Sequence, residues 1–202
     1  MNWWHRAHTT ALTTAVLTAT MLLALLLEGS VLPIPSLLAG TSTGVPVALV
    51  LPAVPAALIL HALNRVPRVY DTTAVRPTAG YKAGMLGAAA LLTTVLGMAG
   101  SYAADSSMPL AAARNVVGYL GAGLIVQYLA GRQYGPLAVA LVPVLCALIG
   151  LGPGGRPFPW TWPLHEATSP LAGVAATILF ASGATGATLL APQRDARRPA
   201  AG

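Results

Sequence analysis

The sequence predicts an all-α integral membrane fold: six transmembrane helices, both ends in the cytoplasm, and a short cytoplasmic helix between helices 2 and 3. Three observations predict it: scarce charge, long apolar runs, and basic residues gathered on one side of those runs. Of 202 residues, 55% are hydrophobic and only 8% are charged, with a mean hydropathy of +0.70. A soluble domain covers its surface with about 25–35% charged side chains, so this composition excludes one. The apolar residues also come in runs rather than at amphipathic spacing, and lipid is the solvent that suits them.

A helix crossing the roughly 30 Å hydrocarbon layer needs about 20 residues, with about 17–25 acceptable. Six stretches qualify: Thr10–Leu27, Val45–Leu63, Ala83–Ala104, Ala111–Ala130, Gly135–Leu151 and Pro170–Leu190. The first is expected to remain as an uncleaved span, because the following LLLEGSVLP offers no small-x-small cleavage site. The second carries Pro46, Pro52 and Pro55. A kinked helix follows, with neighbouring helices supplying donors to the freed carbonyls. The fourth contains Arg114 and Asn115, and the fifth contains Pro143. Residues 1–191 therefore read as one six-helix domain, and 192–202 as a disordered basic cytoplasmic tail.

Orientation follows from the basic residues near the span ends. One side collects Arg6, Arg65, Arg68, Arg76, Lys82, Arg132, Arg194, Arg197 and Arg198; the other holds only Arg114 and Arg156, with Glu28, Asp105 and Glu166. Nine against two sets both termini in the cytoplasm. Trp3 and Trp4 precede the first span, and Trp160 and Trp162 precede the last. Those are the headgroup levels that amphipathic rings prefer.

The net charge of +6 lies between the apolar runs, so it reads as membrane orientation and not as a nucleic-acid surface. Cys146 is the single cysteine, which rules out an intrachain disulfide. No P-loop, HExxH motif or paired carboxylates occur. Ser182 lies in an ASG triplet, but no His on a later span could act as its base, and His61 and His165 sit elsewhere. The sequence thus gives no catalytic constellation, metal site or cofactor site in this chain. Ten Arg against one Lys, beside abundant Ala, Gly and Pro, points to a high-GC bacterial genome and so to a bacterial plasma membrane.

Four places invite a functional reading. In NRVPRVYDTTAVRPTAGYK, Pro67 and Pro77 bracket Arg68–Arg76, long enough for a short basic helix. It would either dock on a partner or rest as a positive loop against anionic lipid. The leading MNWWHRAH suits an interfacial helix or a plain anchor. Arg114 either faces the bundle interior, with Glu28, Asp105 or Glu166 as partner, or the helix begins near Val116 and leaves it at the interface. Gly84, Gly87, Gly97, Gly100, Gly118, Gly121, Gly123, Gly183 and Gly186 would let helix backbones approach, within the bundle or at an oligomer seam.

Six spans with both ends inside, the Trp-bearing start, the longer second-to-third connection and the outer Trp- and Pro-bearing loop together resemble an ABC-2-type transporter permease. The stretch RNVVGYLGAGLIVQYLAGRQYGPLAVALVP is also similar to short permease-like subunits of such systems. The resemblance implies a permease subunit for export, driven by a separate cytoplasmic ABC ATPase that carries ATP and Mg. A second permease subunit, of the same or a different chain, would complete the pore in the lipid bilayer. It implies that Arg65, Arg68, Tyr70, Asp71 and Arg76 form the ATPase contact. Trp160, Trp162 and Glu166 would lie at an outer gate, with Arg114 and Asn115 as intramembrane polar residues. The alternative is a non-transporting assembly, immunity or sensor-partner subunit.

Overall fold

A computed structural model describes residues 10–35, 42–65, 78–152 and 155–190. Helix α1 (Thr10–Leu26) leads into two short strands, β1 (Val31–Pro35) and β2 (Ser42–Pro46). These pair antiparallel, with Val31 opposite Pro46 and Pro35 opposite Ser42. The second apolar run forms α2 (Val47–Val50) and α3 (Ala53–Asn64). Then come α4 (Thr78–Ala104), α5 (Met108–Ala130) and α6 (Tyr134–Ile149). A 3-10 turn (Trp162–Leu164) precedes α7 (Pro170–Thr185), which closes with a π turn (Gly186–Leu190).

Local chemistry sets several of these boundaries. Asp105 takes a left-handed conformation (φ 50°) and turns the chain between α4 and α5. There the Ser106 and Ser101 hydroxyls accept from the Met108 and Leu110 amides, each at 3.1 Å. The free amides of the first α5 turn thus find partners. Gly131, at φ 125°, stops α5. Ser169 caps α7 and Pro170 opens it, an arrangement suited to a helix start.

Four of the apolar helical stretches are long and apolar enough to cross a membrane: Val47–Asn64, Ala79–Ala104, Met108–Ala130 and Pro170–Leu189. Two others, Ala11–Leu26 and Tyr134–Ile149, are shorter. At 1.5 Å per residue those reach only about 24 Å, below the full hydrocarbon thickness. The proline-rich second run is interrupted as its sequence requires: residues Leu51 and Pro52 form a turn between α2 and α3. The fourth run starts at Met108, so the expectation of a start at Ala111 or near Val116 is corrected. Pro109 in its first turn tolerates the helix because no partner is needed for the missing amide there. The paired strands β1 and β2 were not foreseen.

Helix α5 is the axis of the bundle, packing against α1, α3, α4, α6 and α7. Val116, Tyr119, Leu120 and Leu124 of α5 are fully buried with Leu60 and Val139 from α3 and α6. The close approach of α7 depends on two glycines. A Cβ on Gly121 would overlap the backbone of Leu179 and Phe180, and one on Gly183 would come 2.5 Å from the Gly121 carbonyl oxygen. Gly84 and Gly87, in contrast, face open space. Outward, Leu91, Val95, Met98 and Tyr102 run down one face of α4, with Tyr102 93% exposed. An apolar exterior over a close-packed axis is the arrangement lipid favours.

Candidate functional site

The interruption of the second apolar run starts the site. Pro52 has no amide hydrogen to give the Ala48 carbonyl and its ring crowds the preceding turn, so the helical pairing is disturbed there and resumes with Ala56 donating to the Pro52 carbonyl. The Leu49 carbonyl, just before the break, is taken up from α5. It accepts from the Tyr119 hydroxyl at 3.1 Å and from Asn115 Nδ2 at 3.3 Å. Asn115 Nδ2 also lies 3.0 Å from the Pro163 carbonyl. Both side chains are 0% exposed. Four residues apart on one helix, they project from the same face.

Arg114, beside them, serves the chain between α6 and α7. Nη1 donates to the Glu166 carbonyl at 2.7 Å, and Nη2 donates to the His165 and Trp162 carbonyls at 2.9 and 3.2 Å. Nε and Nη2 also approach Asn115 Oδ1 at 3.4 and 3.3 Å. The planar guanidinium thus gathers three carbonyls at the end of the 3-10 turn, two of which also accept from the His165 and Ser169 amides, a task its fixed fork suits. A charge removed from water is tolerable only when hydrogen-bonded in this manner.

Trp162 completes the contact. Its ring meets Tyr119 edge-on, with centroids 6.0 Å apart and an interplanar angle of 61°. A Cβ on Gly118 would overlap its indole nitrogen, which is buried without a hydrogen-bond partner. The connection is also tied internally. The buried Thr161 hydroxyl donates to the Phe158 carbonyl at 2.6 Å, and His165 Nε2 lies 3.1 Å from the same oxygen. Residues 158–166 therefore form a folded cap seated on α5, and the end of the bundle that carries it is called the cap end below.

Under the cap lies a cavity of about 350 Å³. Gly44, Val45 and Pro46 of β2, Leu49 of α2, Ser107, Met108 and Ala111 at the start of α5, and residues 164–168 at the end of the cap and just beyond it line it. Leu151, Gly155 and Pro157 finish the wall. At the same end Glu28 accepts from the Ser106 hydroxyl, linking α1 to the α4–α5 turn.

Of the residues singled out from the sequence, Arg114, Asn115, Trp162 and Glu166 meet here. Two expectations are corrected. Arg114 pairs with none of Glu28, Asp105 and Glu166 through a carboxylate; it reaches Glu166 by the backbone carbonyl, because the carbonyls of Trp162, His165 and Glu166 converge on its guanidinium. Trp162 is no interface anchor, being 8% exposed, because the gap left by Gly118 admits its ring. Trp160 is 51% exposed and stays apart. Arg65 is exposed at the opposite end of α3, and Arg68, Tyr70, Asp71 and Arg76 lie outside the described residues.

Sequence reasoning missed Tyr119 and Leu49. The available signal was a tyrosine one helical turn beyond Asn115, inside an apolar run, facing a run broken by proline. Ser182 is exposed on α7, and Cys146 is buried. Among the described residues no group of three or more His, Cys, Asp or Glu could hold a metal ion. The site can pin helices and enclose a small molecule. Compared with protein-family models, curated proteins and solved structures, the chain matches none.

Proposed function

We propose that this chain is the membrane-spanning permease subunit of an ABC-2-type exporter in a bacterial plasma membrane. All six apolar stretches cross the bilayer, N-in and C-in, the two shorter helices by local thinning of the bilayer, and the cap end faces outward. ATP and Mg belong to a separate cytoplasmic ATPase, since the sequence has no P-loop. A second permease subunit, identical or not, completes the path.

One observation carries this reading. The second apolar run is interrupted, and Leu49, whose carbonyl takes the Asn115 and Tyr119 donors, also lines the cavity under the cap. Interrupted helices beside a cavity recur at transport sites, where irregular backbone is tolerated because it borders a path. The basic segment with Arg65, Arg68, Tyr70, Asp71 and Arg76 is the ATPase contact in this reading, with Tyr70 as its apolar anchor.

Copurification in mild detergent tests the proposal. An ATP-binding subunit is expected to stay bound to the wild-type chain and to be released by Tyr70→Ala with Arg68→Glu, while the chain remains inserted. Wild-type chain that retains no ATP-binding subunit at native expression would overturn the reading, as would a double variant that keeps it.

A further inference from the structure

The cavity under the cap has a chemistry of its own. At about 350 Å³ it falls within the roughly 300–1,000 Å³ range of small-molecule sites, which are mostly apolar with a few placed polar groups. Its inner wall is apolar, formed by Val45, Leu49, Met108, Ala111 and Leu164. Its rim is polar, with Ser107, His165, Glu166 and Thr168.

Among the described residues Glu166 is the one acidic residue lining the cavity, and no Lys or Arg lines it. The nearest guanidinium, Arg114, is committed to the Trp162, His165 and Glu166 carbonyls. It binds Glu166 through the main chain, so among the described residues the Glu166 carboxylate has no partner. An apolar recess with one exposed, unpaired carboxylate at its mouth selects against strongly hydrated metal ions. It favours a cation with an apolar body, whose charge is neutralised where the body is desolvated.

We infer that this cavity binds small organic monocations, with the ammonium at the Glu166 carboxylate and the apolar group against Val45, Leu49, Met108, Ala111 and Leu164. The inference goes beyond transport. It requires no ATPase, and it stands or falls separately from the proposal above.

Equilibrium binding of radiolabelled benzyltrimethylammonium to the full chain in non-ionic maltoside micelles tests it, with no partner subunit present. Saturable binding of one cation per chain is expected. Glu166→Gln keeps the backbone carbonyl that Arg114 needs and should weaken binding about two- to fivefold, the scale of an exposed ion pair. Ser107→Trp, at the rim, should block binding. Neopentylbenzene, the neutral analogue of the same shape, should not displace the probe at matched concentration. Equal affinity of wild type and Glu166→Gln would overturn the inference, and so would uptake that fails to saturate or displacement by the neutral analogue. Monodispersity of each variant by size exclusion confirms that a lost signal is lost binding.

Discussion

The Tyr119 hydroxyl of α5 donates to the Leu49 carbonyl of α2 at 3.1 Å, across 70 residues of chain. Asn115 shares that acceptor from the next turn of the same helix. A carbonyl in the turn before Pro52 is thereby made the tie between the second apolar run and the bundle axis.

Removing one donor leaves the other, so Tyr119→Phe should cost about 1 kcal/mol. Asn115→Ala also strips the Pro163 carbonyl and should cost about 2–3 kcal/mol. The double variant orphans Leu49 altogether, and its loss should exceed the sum of the two. Reversible unfolding in mixed SDS and maltoside micelles measures this. Strict additivity would show that the two donors do not share the acceptor.

Arg114→Met removes the donor set from three cap carbonyls and should destabilise the chain by about 2–3 kcal/mol. The loss should be local, with faster hydrogen–deuterium exchange over residues 161–166 than over α6. Arg114→Lys should recover only part of it, because one ammonium cannot present the same planar fork. Unchanged exchange in the Met variant would contradict the cap assignment.

The glycines divide into packed and open sets. Gly121→Leu drives a side chain into the α7 backbone and should cost about 1–3 kcal/mol or prevent folding. Gly84→Leu meets open space and should fall within about 0.5 kcal/mol of wild type. Thermal stability by fluorescence-detected size exclusion separates the two. A Gly84 variant as damaged as the Gly121 variant would place an unseen neighbour on α4.

Topology is testable on its own. Reporters fused after Arg198 and within residues 64–82 should report cytoplasm, and one within residues 154–168 should report the outside. A cytoplasmic signal from the last would reject six N-in, C-in spans.

How much was legible in the sequence differs from element to element. The apolar runs were read to within a few residues, because run length is imposed by the solvent and does not depend on packing detail. Pro46, Pro52 and Pro55 announced a kinked helix in the second run, with neighbouring helices supplying donors to its carbonyls. Which neighbour was hidden, because 66 residues separate Leu49 from Asn115 and single-chain periodicity carries no such pairing. Trp162 looked like a headgroup anchor by position alone. Its burial depends on Gly118 lacking a side chain, a relation between segments 44 residues apart. Strands β1 and β2 escaped because Pro33 and Pro35 within β1 argue against strand, although two paired strands have free edges that accommodate proline.

The direction of the Arg114 contacts has a consequence for biosynthesis. Every carbonyl it serves lies later in the chain, the furthest 52 residues on. At about 5–20 residues per second, the ribosome delivers Glu166 roughly 3–10 s after Arg114. For those seconds α5 leaves the exit tunnel with the adjacent Asn115 side chain as the one partner its guanidinium has in this structure, while Leu49 is already waiting for Asn115 and Tyr119. The nascent chain therefore holds its central helix by the polar tie to α2 first, and the arginine can settle at its final depth only once the cap has been translated.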